Sequence, residues 1–272
     1  MKRWFFKALG YGLILMAIGL ALSRAPDRDP QTLVARWAPA PSDFIEVKGQ
    51  TVHLRDVGPR DDPTPVVLLH GTGSSLHTWE GWVSGLKETR RVITLDLPGF
   101  GLTGPYTGSY APQDYSADTT ARFVLDVLDH LRVARAVVGG NSLGGEVAWR
   151  MAVLAPQRVD RLVLVAPAGT AFTPERIPVG LLMARIPVIN RLGEHVLPRA
   201  AIDASVRGVY GDPGKVTPEL IDRYFEFRRR RRPDQWCAPA HLAAVGRPGP
   251  PDTPSHAPGV PASDRRQPGC AL

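Results

Sequence analysis

Short apolar runs along the chain alternate with longer segments of helical periodicity. The runs at 65–69 and 91–95 have no polar alternation, which predicts strands buried on both faces of a sheet. Residues 117–131 instead place apolar side chains every three or four positions, which predicts an amphipathic helix. The run at 161–166 predicts one more strand. Strands that alternate with helices of this length indicate βαβ units and a mostly parallel sheet.

A G-x-S-x-G motif, formed by Gly140, Ser142 and Gly144, lies between a predicted strand at 135–138 and a helix that extends to about residue 154. A sharp turn of this kind lifts the serine oxygen above the sheet. Small residues two positions before and after the serine avoid collisions with the neighbouring strand and helix. The sequence therefore predicts Ser142 as a nucleophile. The alternative is an ordinary glycine-rich turn between strand and helix.

Acyl transfer also needs hydrogen-bond donors for the oxyanion that develops in the transition state. The backbone N–H of Leu143, at the start of the predicted helix, is one candidate donor. The N–H of Thr72, in the turn after the 65–69 strand, is the other. Because both donors are backbone groups, the identities of these two side chains matter little. We therefore expect the oxyanion hole to be formed by Thr72 and Leu143.

Three segments, each following a predicted strand, together resemble the α/β-hydrolase superfamily over about residues 42–231. They are His70-Gly71-Thr72-Gly73, Asp96-Leu97-Pro98-Gly99-Phe100-Gly101 and Gly140-Asn141-Ser142-Leu143-Gly144-Gly145. Two further motifs make the chain similar to the bacterial, often membrane-anchored, single-domain members. They are Leu76-His77-Thr78-Trp79 and Gly99-Phe100-Gly101-Leu102-Thr103-Gly104-Pro105. The resemblance implies an α/β-hydrolase fold with helices on both faces of the sheet and a helical lid. It also implies hydrolysis of an ester or another acyl bond through a Ser142 acyl-enzyme, without a cofactor or a metal.

Two other functions stay open. The pair Asn141-Ser142 beside two glycines is also similar to the hydrolases that cleave carbon–carbon bonds in diketone ring-cleavage products. The non-enzymatic alternative is an inactive truncated fragment, or a binding module tethered to a membrane. A serine at the elbow argues against haloalkane dehalogenases and epoxide hydrolases, which resemble this chain but use an aspartate there.

The general base and its acidic partner are not identified in the sequence. In the family, an acidic residue and then a histidine follow two further strands after the nucleophile. Here the later histidines are His195, in the predicted lid, and His241 and His256, in a proline-rich tail. The composition changes abruptly after Arg232, where the next strand is due. We therefore expect the family sequence to stop there, with a truncated or frameshifted segment following and the C-terminal strands missing.

The composition divides the chain into five regions. They are a membrane anchor or signal segment at 1–25, a tether at 26–42, the hydrolase core at 43–169, a helical lid at 170–232 and an irregular tail at 233–272. Basic residues precede an apolar run in the first region, which favours a single-pass anchor in the inner membrane with the catalytic domain in the periplasm. The alternative is export after cleavage of a signal peptide near Ala21-Leu22-Ser23.

Charge and cysteine content restrict the partners. The formal net charge is +7, but the arginines are scattered apart from 228–232, and no nucleic-acid-binding motif is present, so we expect no nucleic acid partner. Both cysteines, Cys237 and Cys270, fall in the last forty residues, so the core needs no disulfide or cysteine metal site. The apolar segments of the lid predict a small substrate with an apolar acyl or ring group.

Overall fold

The computed structural model describes residues 28–111, 114–170 and 198–228, with a few isolated positions before residue 20. Its strands are β1 (Ser42–Val47), β2 (Gln50–Val57), β3 (Val66–Leu69), β4 (Val92–Leu95), β5 (Ala136–Asn141) and β6 (Val159–Val165). Its principal helices are α1 (Pro30–Trp37), α2 (Glu80–Leu86), α3 (Ala117–His130), α4 (Leu143–Leu154), α5 (Arg199–Val209) and α6 (Pro218–Phe227). Short 3₁₀ turns occur at Leu76–Trp79, Gly108–Tyr110, Pro156–Arg158 and Pro213–Lys215.

The six strands form one sheet in the order β1-β2-β4-β3-β5-β6. Strands β3, β4, β5 and β6 run parallel, whereas β1 and β2 are antiparallel additions at one edge. The predicted α/β fold with a mostly parallel sheet is therefore confirmed. In the pairing of β3 with β5, Leu69 lies opposite Gly140. Consequently the turn after β3, which carries Thr72, and the turn after β5, which carries Ser142, leave the same edge of the sheet.

The main core lies on the two faces of this sheet. Every residue of β3 and β4 is buried, which agrees with their continuous apolar sequences. Helix α3 begins where Ser116 accepts a hydrogen bond from the N–H of Thr119, and it packs on α4. Its residues Phe123 and Val127 are fully buried.

Strand β6 is the outermost strand of the sheet on the side away from β1, within the part of the chain that the structure describes. Its side chains Leu162, Leu164 and Val165 are 38%, 42% and 37% exposed. Strands β3 and β4 at the centre have no comparable exposure. At the opposite edge, β1 buries its apolar residues Phe44 and Val47, so the exposed apolar side chains are a feature of the β6 edge.

The sequence predicted a membrane-spanning anchor near the N-terminus, but no described helix is long and apolar enough to cross a bilayer. The longest helix whose ends both lie in the described residues is α3, with 14 residues. At 1.5 Å per residue it spans about 21 Å, whereas the hydrocarbon core is about 30 Å thick. This finding contradicts the predicted transmembrane anchor and, with it, the placement of the chain in the inner membrane. Most of residues 1–25 lie outside the described ranges.

The region predicted as a tether contains α1, and this helix packs on the body of the protein. Asp29 caps its N-terminus by accepting a hydrogen bond from the N–H of Gln31. Leu33, Val34 and Trp37 are buried in a second apolar cluster, together with Phe44, Leu102 and Phe227. This cluster joins the N-terminal helix to α6 and to the loop after β4.

Helices α5 and α6 are the described part of the predicted lid and lie between residues 198 and 228. They pack on each other around a small apolar cluster formed by Ile202, Val206, Val216 and Ile221. We call these two elements the roof helices. The remainder of the predicted lid, with His195, and the proline-rich tail, with His241 and His256, lie outside the described residues.

Candidate active site

Ser142 lies in a strained turn between β5 and α4. Its φ is 50° and its ψ is −116°, a conformation that residues other than glycine rarely adopt. Its N–H donates to the carbonyl oxygen of Val165 at 3.1 Å, and its own carbonyl oxygen accepts from the N–H groups of Glu146 and Ala168 at 3.0 and 2.9 Å. Three backbone hydrogen bonds therefore hold the serine in this unfavourable conformation.

The glycines of the elbow are required by close packing. A Cβ on Gly140 would lie 2.1 Å from the carbonyl oxygen of Gly144, and a Cβ on Gly144 would lie 2.2 Å from that of Leu69. Gly145 has a similar restriction, because its Cβ would lie 2.9 Å from Pro167. These distances are shorter than van der Waals contact and involve backbone atoms that cannot rotate away. The steric requirement expected from the sequence is therefore visible in the packing of this turn.

The turn after β3 contacts the elbow directly. A Cβ on Gly71 would lie 3.2 Å from Cβ of Ser142, so the backbone at this point passes close to the serine. The next N–H, that of Thr72, donates no hydrogen bond within the described part of the chain. The N–H of Leu143 is at the first position of α4, where a helix offers no intrahelical acceptor. Among the described residues, neither predicted oxyanion donor gives its N–H to a backbone acceptor, and the turns that carry them lie against each other.

Asn141 precedes the serine and connects the elbow to its surroundings. Its side-chain amide donates to the carbonyl oxygen of Val165 at 3.1 Å. Its Oδ1 lies against the turn after β3, 2.8 Å from the position that a Cβ on Gly71 would occupy. The side chain therefore supports the elbow between the end of β6 and the turn that carries Thr72.

Ser142 opens into a cavity of about 740 Å³ between the sheet edge and the roof helices. One wall is formed by the indole rings of Trp79 and Trp82, which meet edge-to-face with centroids 5.3 Å apart. The roof includes Ile202, Val206 and Val209 of α5. The cavity is therefore mainly apolar around a polar serine, as expected for a site that binds a small organic molecule.

Several residues lining this cavity were not identified as site residues by the sequence. Tyr224 donates from its hydroxyl to Oγ of Ser74 at 3.1 Å, and so ties α6 to the turn after β3. The guanidinium of Arg228 reaches Gly73, with Nη2 2.8 Å from the position of a Cβ there. The apolar periodicity of residues 200–206 and 218–229 indicated helices, but nothing local in the sequence shows which of their side chains face Ser142.

No histidine, aspartate or glutamate is found among the described residues that line the cavity. His70 follows β3, but both of its ring nitrogens are engaged. Nε2 accepts from the N–H of Leu97 at 3.0 Å, and Nδ1 lies 2.9 Å from the carbonyl oxygen of Gly71, to which it donates. Burial lowers the pKa of His70, which agrees with a neutral ring that organises two turns.

Asp96, at the end of β4, organises a buried polar cluster. Its carboxylate accepts from Nδ1 of His53 at 2.7 Å and from the N–H groups of Leu76 and Leu102, both at 2.7 Å. Burial alone would raise the pKa of Asp96, but the charge and hydrogen bond of His53 lower it below its ordinary value. This carboxylate stabilises the loops after β3 and β4.

His77 belongs to the same cluster. Its Nε2 donates to the carbonyl oxygen of Trp37 at 2.7 Å, and its Nδ1 lies 3.0 Å from Oγ of Ser75. Burial lowers the pKa of His77 to about 4, Asp96 opposes this shift, and Arg223 and Arg55 add to it. The described residues contain no cluster of His, Cys, Asp or Glu side chains suited to a metal ion.

Comparisons with known proteins agree with this geometry. Residues 64–184 match the family defined by the alpha/beta hydrolase fold. The chain is 34% identical over 197 residues to an acetyltransferase component of the acetoin cleaving system of Pseudomonas putida, covering 72% of this chain and 48% of that protein. It is 37% identical over 111 residues to 2-hydroxymuconate semialdehyde hydrolase of Pseudomonas sp. strain CF600, covering 40% and 38%. The chain thus spans about half the length, or less, of these curated relatives.

A solved structure of similar fold is the meta-cleavage product hydrolase of Pseudomonas fluorescens IP01. Its TM-score is 0.56 at 25% identity, over 76% of this chain and 69% of that one. Naproxen esterase of Bacillus subtilis has the same fold, with a TM-score of 0.57 at 21% identity over 75% and 68%. The family match and the curated relatives show the family, and the solved structures share the fold. The chain therefore belongs to the α/β-hydrolase superfamily.

Proposed function

We propose that this protein is a serine hydrolase in which Ser142 attacks the carbonyl carbon of an ester or a related acyl bond. The attack forms a tetrahedral oxyanion, and its collapse expels the alcohol and leaves an acyl group on Oγ of Ser142. Water then cleaves this acyl-enzyme and releases the acid. The N–H groups of Thr72 and Leu143 would stabilise the oxyanion, and losing one such donor costs roughly 3–4 kcal/mol of transition-state stabilisation.

The observation that carries this proposal is the conformation of Ser142 at the mouth of an apolar cavity. A serine at φ 50° and ψ −116° is unfavourable, and such strain persists where the surrounding structure enforces it. The strained serine precedes the N-terminus of α4 and lies beside the turn that carries Thr72, and this neighbourhood supports the proposal. A structural glycine-rich turn would have no need for a strained serine at its centre.

The substrate class follows from the cavity. Trp79 and Trp82 on one side, with the apolar face of α5 on the other, would bind an apolar acyl or ring group. The proton of Ser142 must pass to a general base. The described lining of the cavity offers none, so the base and its acidic partner stay unassigned.

The second candidate is hydrolysis of a carbon–carbon bond in a diketone by the same residues. It is favoured by the names of two relatives, 2-hydroxymuconate semialdehyde hydrolase and 2-hydroxy-6-oxo-2,4-heptadienoate hydrolase of Pseudomonas putida. In that reaction the leaving group is a carbon, which must receive a proton as the bond breaks.

A fluorophosphonate probe tests the shared part of the proposal. We expect stoichiometric labelling of the folded protein, with loss of labelling in Ser142→Ala. Ser205→Ala is the matched control, because Ser205 lines the same cavity on a regular helix and should leave labelling unchanged. Folded protein that does not react with the probe, or that still reacts after Ser142→Ala, would contradict the proposal.

Substrate assays then separate the two reactions. We expect turnover of p-nitrophenyl butyrate if the acyl-bond proposal is right. Turnover of 2-hydroxy-6-oxo-2,4-heptadienoate without turnover of the ester would replace it with the carbon–carbon reaction. Both activities should disappear in Ser142→Ala.

A further inference from the structure

Helix α6 has a buried carboxylate on the face that turns away from the cavity. The side chain of Glu226 is only 9% exposed. It accepts a hydrogen bond from Nε1 of Trp37 at 2.7 Å and another from Nη1 of Arg36 at 2.7 Å, both on α1. Arg28 lies 3.7 Å from the same carboxylate. A buried carboxylate is costly without partners, so these donors fix the position of α6 against α1.

Apolar contacts surround this charged pair. The ring of Trp37 meets Phe227 edge-on, with centroids 6.1 Å apart. Leu33 and Leu102 are almost completely buried in the same cluster. Water is therefore largely excluded around Glu226, which strengthens its hydrogen bonds.

A second carboxylate extends the connection to α5. Asp222 accepts from Nη2 of Arg199 at 2.6 Å and from Nη2 of Arg36 at 3.3 Å. Arg36 therefore contacts two acidic side chains of α6, Asp222 and Glu226, and Asp222 joins all three helices. Among the described elements, α5 packs chiefly on α6, while α6 packs on α5 and α1.

The opposite side of α6 and the inner side of α5 line the catalytic cavity. Tyr224 and Arg228 face the turn after β3, and Ile202 and Val206 form the roof. The contact between α1 and α6 therefore joins the roof to the body of the protein, in addition to the hydrogen bond of Tyr224 to Ser74 and the ion pair of Arg223 with Glu80. A shift of α6 away from α1 would carry the roof with it and open the apolar part of the cavity.

We infer that Glu226 and Arg36 are positioning residues that hold the roof helices closed over the site, and so determine how tightly a long acyl chain binds. The inference rests on the proposed function. It assigns to α1, which the sequence predicted as part of a tether, a role in substrate binding. A short acyl group reaches Ser142 without the roof, whereas a long one needs the wall formed by α5. We call the contact of Arg36 with Glu226 the latch. The effect of breaking it on KM should therefore grow with acyl length.

The magnitude follows from the hydrogen bonds. A hydrogen bond to a charged group contributes enough that its loss changes an equilibrium by roughly tenfold. If only a fraction of the protein keeps the roof closed, the apparent dissociation constant rises by the inverse of that fraction. We therefore expect Arg36→Gln and Glu226→Gln each to raise KM for p-nitrophenyl octanoate by roughly tenfold. KM for p-nitrophenyl acetate should change by less than about twofold.

The matched control is Arg135→Gln. The side chain of Arg135 is 52% exposed, similar to the 45% of Arg36, and it pairs with Asp160 at 3.1 Å. Neither Arg135 nor Asp160 belongs to α1 or to the roof helices. Arg135→Gln should therefore leave both KM values unchanged. Equal changes for octanoate and acetate would indicate general damage to the fold and would overturn the inference, as would unchanged values in Arg36→Gln.

Limited trypsin digestion gives a readout that does not need activity. Arg199, Arg207, Lys215 and Arg223 provide cleavage sites within and between the roof helices. We expect faster cleavage there in Arg36→Gln than in Arg135→Gln, because only Arg36 bonds to α6. Arg36 is partly exposed, so its removal should leave the core folded. Equal rates would refute the latch. If the parent protein shows no Ser142-dependent hydrolysis, the proposed function fails while the digestion still decides on the latch.

Discussion

Gly71 lies in contact with Ser142: a Cβ on Gly71 would stand 3.2 Å from Cβ of the serine and 2.8 Å from Oδ1 of Asn141. The turn that carries Thr72 is therefore fixed at its distance from the elbow by the absence of a side chain. Geometry at the proposed oxyanion hole depends on this glycine more than on the side chain of Thr72.

Gly71→Ala should lower kcat for ester hydrolysis by at least about tenfold. A methyl group here would move the Thr72 N–H or displace Asn141. Complete loss of one oxyanion donor lowers the rate by about 10²–10³-fold. The unfolding midpoint should change little, because Asn141 Oδ1 is the end of a side chain that can rotate. Steady-state kinetics and thermal denaturation measure the two effects. Gly85→Ala, with no atom within 4 Å of its Cβ, is the control. Unchanged kcat in Gly71→Ala would contradict this prediction.

Gly144→Ala should damage the fold itself. The new Cβ would lie 2.2 Å from the carbonyl oxygen of Leu69, an atom of the central strand β3. Because backbone must move, we expect a loss of about 2 kcal/mol or more of unfolding free energy. Gly85→Ala, at an open position of helix α2, should be neutral or slightly stabilising. Urea denaturation compares the two, and equal midpoints would show that the elbow relaxes without cost.

The strain at Ser142 can be measured by two substitutions of the same residue. Ser142→Gly removes the nucleophile and also permits φ near 50°, whereas Ser142→Ala removes only the hydroxyl. We expect Ser142→Gly to be more stable than Ser142→Ala by roughly 1 kcal/mol, which is the conformational strain less the entropy cost of glycine. Both variants should be inactive. Equal stability, or a less stable glycine variant, would show that the turn stores no such strain.

Stability should fall as the pH is lowered from 6.5 to 4, because His77 stays neutral in the folded protein. Burial lowers the pKa of His77 to about 4, whereas in the unfolded chain it is near 6.5. Between these values the unfolded chain binds a proton that the folded protein does not. The unfolded state is therefore favoured increasingly as pH falls, by up to about 3 kcal/mol.

Urea denaturation of the parent and of His77→Gln across this range tests the effect. The glutamine amide can still donate to the carbonyl oxygen of Trp37, so the variant should fold and show a shallower slope. A residual slope is expected from His70, whose pKa burial also lowers. Asp96 acts below this range, because its pKa is lowered from 3.8 and its stabilisation is lost only at more acidic pH. Identical slopes in parent and variant would contradict the assignment to His77.

Local patterns predicted much of the fold. The uninterrupted apolar runs correspond to β3 and β4, and the periodic segment corresponds to α3, which buries Phe123, Val124 and Val127. Periodicity and turn glycines are properties of neighbouring residues, so they can be read from the chain directly. The predicted membrane anchor is contradicted by the finding that no described helix is long and apolar enough to cross a bilayer. Most of the apolar run on which that prediction rested lies outside the described residues.

The sequence by itself determined the α/β architecture and the position of the glycine-rich turn, and it predicted Ser142 as the nucleophile, since each depends on a few adjacent residues. Only the tertiary structure decided which residues of the roof helices line the cavity of Ser142, and that α6 packs on α1. Trp37 and Glu226 are 189 positions apart, yet they share a hydrogen bond. The physical reason is that helical periodicity defines a buried face but not the partner against which that face packs, and the partner is decided by the fold as a whole.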